Sequence, residues 1–245
     1  MMELSDKVIV ITGASKGLGK AIALRLSRLT PHLVLIARHE PLLLQVQAEI
    51  ADTTGHSPCV IQCDISSESD VRRMAALVEE RHSRVDVLVN NAGFGTYRAS
   101  ENLSNQEMRR HFEVNFFGAY YCIKALLPLL RRSDAGYILN VGSLFSRVSL
   151  AENSVYAATK FALAGFTEGL SRELKPCGVG VGLFMPGPMD TAFQNGRDEG
   201  AIKSPVMLDT QRVAGVIETM IRKRKKSVML PVWMLAALKL KNAFA

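Results

Sequence analysis

The sequence predicts one α/β domain built on a parallel, doubly wound sheet of about seven strands with helices on both faces. Short apolar, β-branched runs alternate with helical patterns along the chain. Such continuous apolar strands suit a parallel sheet that is covered on both faces. The chain has 245 residues, of which 48% are hydrophobic, so it is long enough to bury one large core. We therefore expect residues 1–245 to form a single domain.

Strands and helices are predicted in strict alternation over most of the chain. The predicted strands are Lys7–Thr12, His32–Ala37, Cys59–Cys63, Val85–Val89, Tyr137–Gly142, Val179–Met185 and Ser227–Pro231. The predicted helices are Ala21–Leu29, Glu40–Thr53, a helix capped by Ser67, Ser104–Leu130, a helix from Tyr156 towards Leu174, Asp209–Arg222 and Trp233–Phe244. Because strands and helices alternate, we expect right-handed crossovers between parallel strands.

Composition excludes several classes of function. The net charge is +7, but five of the positive charges lie in the run Arg222–Lys226, so the sequence does not indicate a nucleic-acid partner. The four cysteines form no CxxC pair, which predicts reduced thiols and no metal site. No apolar segment precedes the first strand, and the longest uncharged apolar run, Val228–Leu238, is too short to span a membrane. We expect a cytoplasmic protein.

A glycine-rich turn, Gly13–Gly19, follows the first strand and precedes a helix. A strand, such a turn and a helix together present backbone N–H groups and the positive end of a helix to a phosphate. The spacing Gly-x-x-x-Gly-x-Gly differs from the GxGxxG fingerprint of many dinucleotide sites. An ordinary tight turn between strand and helix is the alternative interpretation.

The end of the second strand indicates which dinucleotide binds. An acidic side chain there would hold the ribose hydroxyls of NAD. The sequence instead has Arg38, with no carboxylate before Glu40, and Lys16 adds a cation in the glycine-rich turn. Two cations without an acid favour the 2′-phosphate of NADP(H). The alternative is that Arg38 is a solvated loop charge.

The stretch from Ser143 to Lys160 has the residues for acid–base chemistry. Ser143 follows a predicted strand, and Tyr156 and Lys160 lie four positions apart on a predicted helix, so they share one face. A neighbouring ammonium is expected to lower the pKa of the Tyr156 phenol. The alternative is a surface tyrosine and a solvated lysine. Asn115, inside a long helical pattern, needs a separate explanation, of which a bond to a nearby backbone carbonyl is the simplest.

Together these segments resemble the short-chain dehydrogenase/reductase family. The matching motifs, in the family's order, are Thr12–Gly19, Asp64, Asn90–Gly93, Asn115, Ser143, Tyr156–Lys160 and Pro186–Gly187 followed by Thr191. The resemblance implies a Rossmann fold, a nicotinamide cofactor, a small carbonyl or alcohol substrate, and a homodimer or homotetramer.

The resemblance also implies a role for each matching residue. Tyr156 would be the general acid or base, Lys160 would lower its pKa and hold the nicotinamide ribose, Ser143 would bind the substrate oxygen, and Asn115 would hold a water that supplies protons to Lys160. The remaining NADP(H)-binding residues would be Gly13, Ser15, Lys16, Gly17, Leu18, Gly19, Arg38, Asp64, Asn90, Ala92, Gly93, Pro186, Gly187 and Thr191.

Substrate selection is expected in the segments where this sequence departs from the family's pattern. Residues 188–207 are polar, contain glycine and are predicted to form a mobile lid over the ligand crevice. Phe94, Tyr97 and Phe145 suit an apolar carbonyl compound, and Arg98 and Arg147 leave open an anionic tail on that compound.

The C-terminal strand and helix, residues 227–245, are predicted to form a subunit interface. Because they follow the basic run, docking on an anionic membrane surface is the weaker alternative. The whole pattern predicts an NADP(H)-dependent oxidoreductase. The alternative function is a protein that senses NADP(H) and regulates a partner without turnover.

Overall fold

The structure is a computed structural model that describes residues 1–189, 207–231 and 233–234. The strands are β1 (Ile9–Thr12), β2 (Leu33–Ala37), β3 (Cys59–Gln62), β4 (Val87–Asn90), β5 (Tyr137–Val141), β6 (Gly180–Pro186) and β7 (Ser227–Leu230). The α-helices are α1 (Gly17–Leu26), α2 (Glu40–Thr54), α3 (Glu68–Arg81), α4 (Asn105–Phe112), α5 (Gly118–Arg131), α6 (Ser154–Glu173) and α7 (Thr210–Lys223).

All seven strands pair in parallel, in the order β3-β2-β1-β4-β5-β6-β7. The predicted doubly wound sheet is therefore confirmed. The chain winds outward from β1 to β3, then returns to place β4 on the other side of β1. At this reversal the helices that follow β1 and β4 pack on opposite faces of the sheet. Open α/β sheets bind ligands outside the carboxyl ends of the strands at such a reversal, so a ligand crevice is expected there.

The core consists of two apolar layers, one on each face of the sheet. Ile9 and Ile11 of β1 point to the layer that α1, α2 and α7 cover, whereas Val8 and Val10 point to the layer of α3, α5 and α6. This alternation follows from the two-residue repeat of a strand, and it explains why every β1 side chain is apolar or buried. The sheet thus lies between two layers of helices.

Two predicted helix boundaries were wrong. Helix α1 begins at Gly17, not Ala21, because the glycine-rich turn itself forms the first helical turn. The predicted helix Ser104–Leu130 is divided by a π-helical segment at Glu113–Phe117, with α4 before it and α5 after it. A π segment widens one turn of the helix, and such segments are frequent at functional sites.

Several C-terminal predictions lie at or beyond the limit of the described residues. Residues 190–206 of the predicted lid and all but residues 233–234 of the predicted helix Trp233–Phe244 are outside them. Within the described part, strand β7 pairs with β6 on one side only. The basic run is partly used internally, because Arg222 pairs with Glu218 at 2.8 Å and Arg224 donates to the carbonyl of Gly136 at 3.0 Å. None of the helices in the described ranges has the length and apolar character that crossing a membrane requires.

A buried carboxylate, Asp86, closes the opposite, amino edge of the sheet. Its oxygens accept from Val8 N at 2.9 Å, from Arg84 Nε at 3.1 Å and from the Ser133 hydroxyl, and Lys7 Nζ lies 3.6 Å away. Burial alone would raise the pKa of Asp86, but the hydrogen bonds from Ser133 and Val8 and the charges of Lys7 and Arg84 outweigh it and lower the pKa. The ionised form therefore joins the start of β1 to the segment before β4.

Asp86→Asn is expected to lower the free energy of unfolding at pH 7 by about 3 kcal/mol, because it breaks a buried, hydrogen-bonded charge cluster. A depressed carboxyl pKa contributes stability above the pKa of the unfolded chain, and that stability is lost as the pH falls through the lower folded-state pKa. Urea unfolding between pH 7 and pH 3 measures both effects. Asp134→Asn, at an exposed position, is the matched control and should change neither. Equal unfolding curves for Asp86→Asn and wild type would contradict this role.

Candidate active site

The candidate residues of the described part lie at one edge of the sheet. Six of the strands each have a candidate residue at or just after the carboxyl end. Because parallel strands end at the same edge, residues far apart in sequence become neighbours. The residues at these ends are Gly13 after β1, Arg38 after β2, Asp64 after β3, Asn90 at the end of β4, Ser143 after β5 and Gly187 after β6. Thr191, the remaining predicted cofactor contact, lies outside the described residues.

The glycine-rich turn is packed directly against the loop after β4. Gly13 and Gly17 have φ angles of 67° and 56°, which favour glycine, and a Cβ on Gly13 would lie 2.8 Å from the Cα of Ala92. A Cβ on Gly19 would overlap the carbonyl oxygen of Gly13. The interpretation as a glycine-dependent turn is thus supported on steric grounds, and the same turn carries Ser15, Lys16 and Leu18.

Asn91 holds these two loops together. It lies in the Asn90–Gly93 motif, but the sequence assigned it no role of its own. Its Nδ2 donates to the carbonyl of Thr12 at 2.9 Å, and its backbone N–H donates to the Thr12 hydroxyl at 3.0 Å. Ala92 N donates to the same hydroxyl at 3.1 Å. Because both hydrogen-bond partners lie on β1, 79 residues away in sequence, only the fold reveals this role.

The two predicted phosphate-binding cations lie at neighbouring strand ends. Thr12 of β1 pairs with Ile36 of β2, so Lys16 and Arg38 follow adjacent strands. Both residues are exposed, and within the described ranges neither side chain forms an ion pair with an acid. The first turn of α1 contains no acidic residue. This corner of the crevice therefore carries positive charge without an internal counter-charge.

Asp64, a predicted cofactor contact, already forms hydrogen bonds within the protein. One carboxylate oxygen accepts from the Ser66 hydroxyl at 2.6 Å, and the other accepts from Arg110 Nη2 at 3.0 Å. Burial alone would raise its pKa, but the bonds from Ser66 and Arg110 outweigh burial and lower it, so the carboxylate is ionised at neutral pH. Arg110 comes from α4, and no motif pointed to it.

Ser143, Tyr156 and Lys160 come together in the interior. They are 8%, 5% and 3% exposed, which rules out the alternative of a surface tyrosine and a solvated lysine. A hydrogen bond joins the side chains of Ser143 and Tyr156. Lys160 lies one helical turn beyond Tyr156, with its Nζ 5.8 Å from the centre of the Tyr156 ring. The site thus holds two neighbouring hydroxyls and a buried amine.

The expected lowering of the Tyr156 pKa was wrong for this structure. Burial raises the pKa of Tyr156, the nearby Tyr97 raises it further, and the bond from Ser143 opposes the rise only in part. Lys160 Nζ donates to the carbonyl of Val141 at 3.0 Å, and burial lowers its pKa to about 8. Lys160 Nζ is therefore bonded to the end of β5, although it lies 5.8 Å from the centre of the Tyr156 ring.

Asn115 lies in the π segment and ties it to the loop after β4. Its Oδ1 accepts from Phe94 N at 2.9 Å, and its Nδ2 donates to Phe94 O at 2.8 Å and to the Thr159 hydroxyl at 3.1 Å. The simplest explanation of this residue, a bond to nearby backbone, is thus confirmed. A Cβ on Gly93 would lie 3.1 Å from Asn115 Oδ1 and 3.5 Å from Lys160 Nζ, so Gly93 leaves room beside both polar atoms.

A buried chain of side-chain hydrogen bonds fixes α6 to the sheet. Asn90 Nδ2 donates to Asn140 Oδ1 at 2.8 Å, Asn140 Nδ2 donates to the Thr167 hydroxyl at 2.9 Å, and that hydroxyl donates to the carbonyl of Leu163. Asn140 is fully buried within an apolar strand. A polar residue inside an apolar run was the signal that sequence analysis had available for it.

The model of the short chain dehydrogenase family matches residues 7–201. The chain belongs to this family. An uncharacterized oxidoreductase of Staphylococcus epidermidis is 32% identical over 217 residues, which are 89% of this chain and 91% of that protein. Human retinol dehydrogenase 8 is 33% identical over 196 residues, which are 79% of this chain and 62% of that protein. The predicted family is thereby confirmed.

Solved structures of the family share the fold of this short-chain dehydrogenase. An alcohol dehydrogenase from Thermococcus sibiricus, complexed with 5-hydroxy-NADP, has a TM-score of 0.83 and 31% identity, covering 91% of this chain and 95% of that one. A short-chain dehydrogenase/reductase from Burkholderia phymatum, in complex with NAD, has a TM-score of 0.89 and 25% identity, covering 99% and 95%. These two complexes contain an NADP derivative and NAD, respectively.

Lys160→Met is expected to stabilise this short-chain dehydrogenase at pH 7 by about 1–3 kcal/mol, because the wild type keeps a cation where burial disfavours it. The lowered pKa means that the unfolded chain binds more protons between about pH 8 and the ordinary lysine pKa. Wild-type stability should therefore rise with pH across that window, and the variant should show no such rise. Urea unfolding at pH 7 and pH 9.5 measures both, with the exposed Lys175→Met as control. A variant less stable than wild type at pH 7 would contradict this account.

Proposed function

We propose that this chain is an NADP(H)-dependent oxidoreductase that interconverts a carbonyl group and a secondary alcohol, with Tyr156 as the general acid or base. The observation that supports it most is the buried hydrogen bond between Ser143 and Tyr156, with Lys160 one helical turn away. Two hydroxyl donors directed at one place suit an oxygen that gains negative charge during reaction. The bound dinucleotide supplies or accepts the hydride at the carbon of that group.

The residues present fit such a dinucleotide. The first N–H groups of α1 have no partner within the helix, no acidic side chain lies in its first turn, and Gly13 allows the loops after β1 and β4 to meet at backbone distance. Pyrophosphate would lie against this turn, and Asp64, Asn90 and Ala92 would line the adenosine side. Pro186, Gly187 and Thr191 would line the nicotinamide side.

The proton chemistry follows from the environment of each residue. The raised pKa keeps the Tyr156 phenol protonated at neutral pH, so it is ready to donate when a carbonyl is reduced. Ser143 Oγ accepts from Phe145 N at 3.2 Å, which leaves its O–H free to donate to the carbonyl oxygen of the substrate. Lys160 has a pKa of about 8, which places its proton exchange near neutral pH. We propose that Lys160 stabilises the Tyr156 phenolate after donation and that Asn115 lies on the path that restores the proton.

The preference for NADP(H) over NAD(H) rests on Lys16 and Arg38. Both are exposed cations without an acidic partner in the described ranges, and a 2′-phosphate is the anion that suits them. The complex of the Thermococcus sibiricus relative with 5-hydroxy-NADP supports this preference.

The proposal also covers the domain organisation, the oligomeric state and the cellular location of the protein. Residues 1–245 form one domain, with residues 188–207 as a substrate lid and residues 227–245 at an interface of a homodimer or homotetramer. The exposed edge of β7 supports the interface. The four free cysteines, of which Cys63 and Cys122 are buried, support a reducing cytoplasmic location.

A sensor of NADP(H) without turnover is the second candidate. A sensor needs the glycine-rich turn and the cations, but it does not need two hydroxyls and an amine buried together. Keeping Lys160 buried is unfavourable for folding, as its lowered pKa shows. The cluster therefore favours an enzyme.

Tyr156→Phe is expected to lower turnover by about 10²- to 10⁴-fold, because it removes the proton donor. Dinucleotide binding should change little. A panel of carbonyl compounds with NADPH oxidation as the signal measures turnover, and cofactor fluorescence measures binding. The control is Tyr120→Phe, which removes an exposed phenol on α5. Turnover retained in Tyr156→Phe would contradict the mechanism, and binding without any turnover by wild type would favour the sensor.

Arg38→Ala is expected to weaken NADPH binding by about 10- to 100-fold, the loss of one charge-assisted hydrogen bond, and to leave NADH binding unchanged. Titration of each dinucleotide into the protein measures both constants. Arg28→Ala, at an exposed position near the far end of α1, is the matched control. Equal losses for NADPH and NADH would remove Arg38 from phosphate recognition, and a wild-type protein that turns over faster with NADH would contradict the NADP(H) preference.

A further inference from the structure

Two aromatic rings from different loops contact the ring of Tyr156. Tyr97, in the loop after β4, has its ring centre 6.1 Å from that of Tyr156 at an interplanar angle of 48°. Phe145, in the short turn after β5, lies at 6.0 Å and 75°. Both rings are half-buried, unlike the fully buried aromatic Tyr137 of the core. A carbonyl compound hydrogen-bonded to Tyr156 would therefore bring its substituents within reach of these two rings.

Hydrogen bonds fix the loop of Tyr97 on both sides of that residue. Before it, the Asn115 amide holds Phe94 N and O, and Thr96 N donates to His111 Nε2 at 3.2 Å. After it, Arg98 N donates to Glu152 O at 2.8 Å, which joins this loop to the segment before α6. His111 is 1% exposed and also stacks on Phe94, with ring centres 4.4 Å apart. Tyr97 is thus part of a preformed wall.

The cations beside this wall, in the part of the chain that the structure describes, are bonded within the protein or exposed to solvent. The one cation next to Tyr97, Arg98, is used within the protein: its guanidinium donates to Asn102 O at 3.1 Å and pairs with Glu107 at 3.5 Å. Arg147 is exposed on the turn after Phe145. Lys160 Nζ, 5.8 Å from the centre of the Tyr156 ring, already donates to the carbonyl of Val141 at 3.0 Å. The Ser143 hydroxyl and the two aromatic rings beside Tyr156 offer hydrogen bonds and apolar faces, which suit a neutral substrate.

We propose that Tyr97 is a specificity-determining residue and that the substrates are neutral aryl ketones, whose ring packs against Tyr97 while their carbonyl oxygen contacts Ser143 and Tyr156. This inference rests on the proposed function, since it names the substrate class of the same site. Aryl rings pack better than alkyl groups of equal size against aromatic side chains, in edge-to-face or offset geometry, with a gain of about two- to tenfold in binding for each pair.

The test compares two ketones of similar size, phenyl methyl ketone and cyclohexyl methyl ketone, with the full-length protein and with NADPH and NADH in parallel. The quantity measured is the ratio of their kcat/KM values in one enzyme preparation, which cancels any loss of folded protein. Wild type should prefer the phenyl ketone. Tyr97→Leu removes the ring and should lower the ratio by about two- to tenfold. Tyr97→Phe keeps the ring and should preserve the ratio. A phenyl methyl ketone with a carboxylate on its ring should be a poorer substrate than the neutral one.

Each outcome bears on one level of the proposal. An unchanged ratio in Tyr97→Leu, or a wild-type preference for the cyclohexyl or the carboxylated ketone, overturns the inference and leaves the proposed function intact. Turnover of other carbonyl compounds with neither test ketone reduced does the same. A wild-type protein that reduces no carbonyl compound with either dinucleotide overturns the proposed function, and this inference with it.

Discussion

The burial of Lys160 is the constraint on which the rest of the site depends. Lys160 is 3% exposed, so its buried ammonium group needs a hydrogen-bond acceptor. The carbonyl of Val141 at the end of β5 provides one at 3.0 Å. That bond requires α6 to lie at one position along the strand. The chain of bonds from Asn90 through Asn140 to Thr167 holds the helix at the same position from its far side. Tyr156, one turn before Lys160, is thereby placed beside Ser143.

The loop after β4 lies beside the catalytic residues. An irregular, π-helical part of the helix that follows holds this loop in place by hydrogen bonds. A regular helix through Asn115 would give its amide a different direction. The π segment Glu113–Phe117 turns it onto both backbone groups of Phe94. His111, one turn earlier, accepts from Thr96 N in the same loop. Polar groups on one helical stretch thus fix a loop that carries Gly93 beside Lys160 and Tyr97 beside Tyr156.

The sequence predicted the elements that depend on local pattern. Apolar runs such as those of β1 and β5 identify buried parallel strands because nearly every position in them is apolar, and Tyr156 and Lys160 share a face because a helix has a fixed repeat. The order of the seven motifs from Thr12–Gly19 to Thr191 indicated the family. Within each strand, helix or motif the signals lie within a few residues of one another, so periodicity and spacing can detect them.

Properties set by distant neighbours were not predictable. The pKa of Tyr156 was expected to fall because Lys160 is four residues away, but burial and Tyr97, which is 59 positions earlier in the sequence, raise it. The sequence left open whether Arg98 faces solvent or substrate. Only the fold shows that its guanidinium pairs with Glu107 and donates to the carbonyl of Asn102. The Asp64 carboxylate likewise accepts a hydrogen bond from Arg110 of α4. The direction in which a side chain points and the extent of its burial can be known only from the tertiary structure.

The central claim is that the site keeps a cation buried next to its tyrosine, and the titration of Lys160 tests it most directly. In protein labelled with ¹³C at lysine Cε, the NMR signal of Lys160 is the one that Lys160→Arg removes. The account predicts that this signal titrates with a pKa of about 8. A Lys160 signal that titrates at the ordinary lysine pKa of about 10.4 would contradict it.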